Sequence, residues 1–296
     1  MKNDYACYSD IAEIMDYKND RAQKAHETLQ IIEQGFYILN DKQIDISKQV
    51  EESIKNATLY SPTTFEHIHL EVEKEIASRN FQTRIEVKNC TTIEAAEQLI
   101  EENGKTACLN FASAKNPGGG FLSGAQAQEE SLARASALYP TLTQFLTEMY
   151  EYNRSQNTYL YSDYMIYSPN VVFFKNDADE LLPHPFELDI LTSPAVNIGA
   201  MKQNKPQELL LAKQTMLERI DKLLSVFVLQ KVENLVLGAW GCGVFQNKPE
   251  DVAGYFAHYL INGGKYANCF RHIVFAVFDR SKNRENINVF EKICKS

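Results

Sequence analysis

The first 34 residues are polar, with apolar positions recurring at helical spacing. The run RAQKAHETLQIIEQG predicts an amphipathic helix that Gly35 ends. Two short apolar runs, residues 36–39 and 43–46, flank Asn40-Asp41 and predict a hairpin. Residues 47–60 predict a second helix, with Ser47 as its N-cap and Ser61-Pro62 as its stop. From Thr83 the pattern changes to strands alternating with helices. Residues 84–88 alternate as a strand, and Thr91 with Glu94 three residues on makes a capping box, opening a helix that stops at Gly104. Residues 107–112 are the next strand. Strand pieces follow at 165–167 and 171–174, separated by Ser168-Pro169, with tyrosines around them that suit a sheet edge. Another strand at 188–191 closes at Ser193-Pro194. Then come a long helix at 206–229, a strand at 235–240, a helix at 249–261, a strand at 273–278 and a helix at 286–293.

This alternation predicts an α/β fold, a three-layer α/β/α sandwich around a mixed, largely parallel sheet. Any ligand crevice should lie beyond the carboxyl ends of the strands. Residues 1–80 carry no evident chemistry and no Gly/Ser/Pro linker follows them. They are expected to be a helical accessory region packed on a core at 81–296.

Composition narrows this further. With 44% apolar and 23% charged residues, the chain is ordinarily globular, and its 296 residues suffice for a substantial core. A net charge of −9 argues against nonspecific duplex binding, so no sequence-specific nucleic-acid partner is expected. Acidity does not exclude an anionic ligand, because backbone N–H groups can hold a pyrophosphate. No run of about 18 apolar residues occurs, and the N-terminal twenty residues lack an apolar stretch of signal-peptide length. The six cysteines (Cys7, Cys90, Cys108, Cys242, Cys269, Cys294) are scattered without a CxxC pair, which predicts free thiols in a cytoplasmic protein with no membrane partner. Among six dispersed histidines only His67 and His69 lie close together. Their spacing suits a strand face or exposed loop, so no metal site is expected.

Candidate chemistry concentrates in residues 110–140, NFASAKNPGGGFLSGAQAQEESLARASALYP. Gly118, Gly119 and Gly120 strip one face of the loop of Cβ atoms, letting backbone N–H groups approach a ligand and φ turn positive. Seven residues later come Gln128, Glu129 and Glu130, and helical composition starts at Ser131. A flexible turn entering an acidic helix N-terminus would read the same way. A second loop, GCGVFQN, follows the apolar strand near Leu235–Leu237. Gly241 and Gly243 there allow the backbone to wrap a diphosphate ahead of the next helix, and Phe245 could pack on a ribose. No GK[ST] follows, so it is not a Walker A loop, and GxG without a third glycine is no dinucleotide fingerprint. The plainer alternative is a strand–helix turn with Cys242 as a small filler. No partner His or Asp marks Cys242 as a nucleophile. Asn110, Ser113 and Asn116 can bond ribose hydroxyls but are also ordinary turn residues. Asn89 can present an amide to a base or cap a loop.

GGG and QEE seven residues apart, followed by GCGVF, resemble the signature of poly(ADP-ribose) glycohydrolases, in their compact bacterial type. The likeness extends more weakly from about Gly35 to the C-terminus. It implies a macrodomain-like core and hydrolysis of ribose–ribose O-glycosidic bonds in poly(ADP-ribose), acting at the chain end and releasing ADP-ribose, with no cofactor. Such cleavage passes through an oxocarbenium-like transition state and needs a proton donor and an activated water. Adjacent glutamates cannot flank the bond, so one must act as acid and then base. The resemblance assigns that role to Glu130 and sugar positioning to Glu129. It places Asn89 at the adenine and a side chain near Ser113 at the distal ribose, with Asn110, Asn116, Gly118, Gly119, Gly120 and Gln128 also among the substrate-binding residues. Gly241, Cys242, Gly243, Val244 and Phe245 fall in its phosphate loop. Some relatives have Asn where Ser113 stands. Two alternatives remain: a module that binds ADP-ribose without turnover, and a hydrolase of another ADP-ribose linkage on protein, nucleobase or metabolite.

Overall fold

A computed structural model describes residues 8–295, with side chains from Asp16 onward. Cys7, the first seven residues of the accessory region and Ser296 lie outside the described residues. Helix α1 (Tyr8–Gln34) ends at Gly35, whose φ of +75° few other residues tolerate. Strands β1 (Phe36–Leu39) and β2 (Lys42–Asp45) form the hairpin, with Asn40 and Asp41 both left-handed at its turn.

The second predicted helix is shorter than expected. Helix α2 (Ser47–Asn56) begins with Ser47 inside it, and Asp45 Oδ1 accepts from the Ser47 N–H in place of a Ser47 cap. Residues 58–60, expected to be helical, are strand β3 (Thr58–Tyr60). An unforeseen helix α3 (Pro62–Ser78) follows, opened by a Ser61/Thr64 capping box with Pro at its start. His67 and His69 sit on its exposed surface, neither on a strand nor in a loop.

Strand β4 (Arg84–Lys88) leads to helix α4 (Thr92–Ile100), capped by Thr91 and Glu94 as predicted and ending four residues before Gly104. Next come β5 (Thr106–Phe111), then helices α5 (Gln128–Ala135) and α6 (Leu138–Thr143), a π-helical turn at Leu146–Glu151, and α7 (Tyr152–Ser155). The two expected strand pieces are one strand, β6 (Met165–Lys175), which passes Ser168-Pro169 by a register shift. Strand β7 (Leu181–Ser193) is longer than expected. Helices α8 (Ile198–Asn204) and α9 (Leu209–Leu229), β8 (Asn234–Gly238), α10 (Pro249–Leu260), β9 (His272–Ala276) and α11 (Glu285–Cys294) complete the chain.

The seven-stranded sheet has the order β3-β6-β7-β5-β8-β9-β4. Strands β7, β5, β8, β9 and β4 run parallel, while β3, β6 and β7 pair antiparallel. Strand β6 is therefore interior, and Tyr167 is buried between its neighbours, not exposed at an edge. Strand periodicity feeds two cores. Leu235 and Leu237 face the helices α9–α11, packing with Leu223, Phe227 and Phe256, while Val236 faces α4–α6 with Ile93 and Leu132. Five parallel strands thus deliver their carboxyl ends to one side, where β5 and β8 release the two glycine loops.

Candidate active site

The first loop leaves β5 and turns back into α5, which starts at Gln128, three residues before the helical composition becomes evident. The early start places Glu129 and Glu130 in the first helical turn, where backbone N–H groups favour acidic side chains. Gly118 and Gly119 have φ of +68° and +61°. A Cβ on Gly119 would overlap Glu130 Oε1 and lie 3.0 Å from Glu129 Oε2. Glycine is required there because two carboxylates lie against its backbone.

Both glutamates are buried, and their surroundings differ. Ser113 N–H donates to Glu129 Oε2 at 2.6 Å, and Asn110 Nδ2 donates to Oε1 at 3.3 Å. Burial pushes the Glu129 carboxyl up to about 8. The Ser113 bond opposes that rise, the neighbouring Glu130 charge adds to it, and the Asn110 bond opposes it again. Glu130 accepts one bond at Oε1, from the Gly120 N–H at 2.9 Å, while its Oε2 has no protein partner. One carboxylate is therefore locked in place; the other keeps an oxygen available.

These residues line a cleft of about 380 Å³. Its opposite wall is the second loop, after β8. Gly241 is left-handed at φ +73°, and a Cβ there would strike Ala195 and the Asn247 amide, which itself bonds Val196 O and Gly241 O. Among the described residues, no acceptor takes the N–H groups of Gly243, Val244 or Phe245. Three successive free donors suit an anion. The first turn of α10 does not line the cleft and carries its own Glu250 and Asp251. Val244 is 83% exposed, and the Phe245 ring sits 5.9 Å from that of Tyr161.

Ser113, Asn116, Gly119, Gly120, Gln128, Glu129, Glu130, Gly241, Gly243, Val244 and Phe245 all reach the cleft lining; Asn89, Asn110, Gly118 and Cys242 do not. Asn89 is exposed and spends its amide on the backbone of Asp279, donating to O and accepting from N–H. That makes it a loop tie, the alternative the sequence also allowed. Asn110 is fully buried beside Glu129, and its amide donates to Glu129 Oε1 and to Thr192 Oγ1, so in this structure it orients a carboxylate. Gln128 lines the wall, but its amide is engaged with Phe111 N–H, Leu109 O and Thr92 Oγ1, bolting α5 to β5. The Ser113 hydroxyl accepts from the Lys115 and Asn116 N–H groups, which is turn chemistry. Burial pushes the Cys242 thiol up to about 12, and Glu250 and Asp251 add to the rise, which disfavours the thiolate.

Sequence reasoning missed Phe111, Ala112, Ala127, Ala195, Ala239 and Trp240 in the lining. Trp240 is fully buried and donates from Nε1 to Ser193 O, tying the second loop to the end of β7. Its adjacency to the GCG motif was the one available signal. Tyr150 was also missed: it is buried on the π-helical turn, its hydroxyl unpartnered, and burial with the charge of Glu129 holds its ionisation well above the usual tyrosine range. Among the described residues no three His, Cys, Asp or Glu side chains converge as a metal site requires. No described helix is long and apolar enough to cross a membrane.

A family model for the microbial-type PARG catalytic domain matches residues 25–176. Among solved structures, the chain is similar to poly(ADP-ribose) glycohydrolase from Thermomonospora curvata, at 39% identity over 93% of this chain and 99% of that one, with a TM-score of 0.86. The same enzyme bound to the inhibitor ADP-HPD matches at 39% identity and the same coverage, with a TM-score of 0.83. The Deinococcus radiodurans glycohydrolase in complex with ADP-ribose matches at 39% identity over 83% of this chain and 96% of that one, with a TM-score of 0.77. No curated protein matches.

Proposed function

The chain belongs to the microbial-type poly(ADP-ribose) glycohydrolases, and on that premise we infer that its cleft takes the terminal ADP-ribose unit of the polymer and that Glu130 drives hydrolysis of the ribose–ribose bond. One observation carries the assignment of roles. Of two adjacent buried glutamates, only Glu130 keeps an oxygen without a protein partner, while both oxygens of Glu129 accept a hydrogen bond.

Glu130 Oε2 delivers a proton to the departing ribose oxygen as the anomeric carbon gains oxocarbenium character. The resulting carboxylate then removes a proton from the attacking water. The Gly120 N–H on Oε1 keeps the carboxyl in one rotamer through both steps. Glu129 orients the ribose against this group. Its reluctance to ionise, from burial and the adjacent charge, keeps a proton within the pair near neutral pH. The diphosphate lies on the free N–H groups of Gly243, Val244 and Phe245, with the Phe245 ring against a ribose.

A cleft of about 380 Å³ suits one compact ligand, which favours attack at a chain end over threading of a continuous polymer. All cleft-lining residues fall between Phe111 and Phe245, which supports residues 81–296 as the catalytic core and 1–80 as its accessory region. Five described cysteines are free thiols, which supports a cytoplasmic setting.

The test is Glu130→Gln on purified polymer, on mono-ADP-ribosylated protein and on NAD, with products resolved by chromatography. Turnover of polymer should fall by about 10²–10⁴, the usual scale of general acid–base catalysis, while ADP-ribose affinity changes far less. Near wild-type turnover in the variant would refute the role of Glu130. A wild-type protein that binds ADP-ribose but cleaves none of the three substrates would be a reader.

A further inference from the structure

The loop that positions Glu130 is held from outside the cleft. Residues 120–127 run from Gly120, whose N–H engages Glu130 Oε1, to the residue preceding α5. The loop closes on itself, because Ala125 N–H donates to Gly120 O at 3.1 Å. Any shift of Ala125 is therefore passed to the donor that holds Glu130.

Two guanidinium groups fix this loop from behind. Arg21, on α1, donates from Nε to Gly124 O at 2.8 Å. Arg134, in the last turn of α5 and almost fully buried, donates from Nη1 to Ala125 O at 3.0 Å and from Nη2 to Gln126 Oε1, and its Nε meets Asp179 Oδ1 at 3.3 Å. The two arginines repel one another, and Asp179 offsets that repulsion.

Helix α1 is seated for this contact. Gly124 has φ +75°, and a Cβ on it would overlap the Lys18 carbonyl oxygen and lie 2.9 Å from the Lys18 carbonyl carbon. The backbones of α1 and the loop therefore touch without a side chain between them. Ala25 is buried against Phe121 and Ala133. Thr28 Oγ1 donates to Arg134 O at 2.5 Å and receives Lys175 Nζ from β6 at 2.9 Å, and the same ammonium donates to Lys24 O at 3.1 Å. None of Lys18, Arg21, Thr28 or Arg134 lines the cleft.

We propose that α1 is a strap that sets the geometry of the catalytic loop, with Arg21 and Arg134 as positioning residues that act on Glu130 through Gly124, Ala125 and Gly120. The proposal rests on the glycohydrolase reading. It predicts a function for the accessory region: without the strap the cleft still binds ADP-ribose, but the carboxyl of Glu130 loses its fixed direction.

The experiment uses Arg21→Ala and Arg21→Lys in the full chain, with Thr28→Val as a milder alternative should Arg21→Ala fail to fold. Arg21→Ala should lower kcat on polymer about tenfold, since sub-ångström misplacement of a catalytic group is costly, with KM and ADP-ribose Kd within about twofold. Arg21→Lys, which restores a cationic donor to Gly124 O, should recover most of the loss. Hydrogen exchange at the Gly120 and Ala125 amides should accelerate in Arg21→Ala and return in Arg21→Lys. A variant that melts earlier but keeps wild-type kcat and wild-type exchange would overturn the proposal. If the wild-type protein cleaves no polymer, the glycohydrolase reading fails, and the exchange rates alone decide the strap: unchanged exchange in Arg21→Ala refutes it.

Discussion

Gly119→Ala tests the reasoning about the active-site loop most directly, because one methyl group meets both catalytic candidates. The added carbon would overlap Glu130 Oε1, lie 2.9 Å from Glu130 Cδ and 3.0 Å from Glu129 Oε2. Neither carboxylate can retreat freely. Glu130 is held by the Gly120 N–H at 2.9 Å and Glu129 by the Ser113 N–H at 2.6 Å. The backbone adds its own term, since φ of +61° costs an alanine about 1–2 kcal/mol. A less flexible unfolded chain offsets about 0.4–1 kcal/mol of that. The net stability loss should be about 1–3 kcal/mol once displaced carboxylates are included, within the common range for strained substitutions. Turnover should suffer more, by about 10²-fold, because Glu130 must move by a substantial fraction of an ångström. Gly263→Ala is the matched control: its φ is +81°, but nothing lies within 4 Å of the added carbon. It should share the backbone penalty and keep wild-type kcat. The assays are chemical denaturation and initial-rate release of ADP-ribose from polymer. If Gly119→Ala keeps kcat within twofold of wild type, or Gly263→Ala loses as much as Gly119→Ala, the argument from carboxylate contact is wrong.

Two further outcomes are expected. Phe245→Ala should weaken ADP-ribose binding by about 1–2 kcal/mol, the scale of a lost aromatic contact, and calorimetry showing an unchanged Kd with the fold intact would remove the ring from the site. Glu129 should make stability pH-dependent: its carboxyl is pushed up to about 8 in the folded protein against 4.5 for the free group, so between those values the folded state holds the extra proton and stability falls as pH rises. Glu129→Gln should flatten that decline in melting temperature between about pH 5 and 8; an equally steep decline in the variant would show that Glu129 is not its source.

Several features governed by local constraints were announced by the chain, although the Ser61/Thr64 capping box that opens α3 was not recognised. Gly35, the Asn40-Asp41 turn and the Thr91/Glu94 capping box were legible because steric limits on φ and unsatisfied helix N–H groups act within a few residues. The turns at Gly118, Gly119 and Gly241 were legible for the same reason, since glycine readily takes the positive φ and close contacts found there. Partners distant in sequence left no such trace. Residues 58–60 read as helix but are strand β3, because pairing with Met165–Tyr167 supplies hydrogen bonds that local propensity cannot reveal. Tyr167 is interior only because β3 adds to the sheet. Asn89, Asn110 and Gln128 carry the polar chemistry of ligand contacts. The tertiary structure spends it on Asp279, on Glu129 with Thr192, and on β5. The different hydrogen bonding of two identical neighbouring side chains was likewise not legible in their spacing. Glu129 and Glu130 differ through their donors, Asn110 and Ser113 for one and Gly120 for the other, and a donor's direction is set by where the fold carries its backbone.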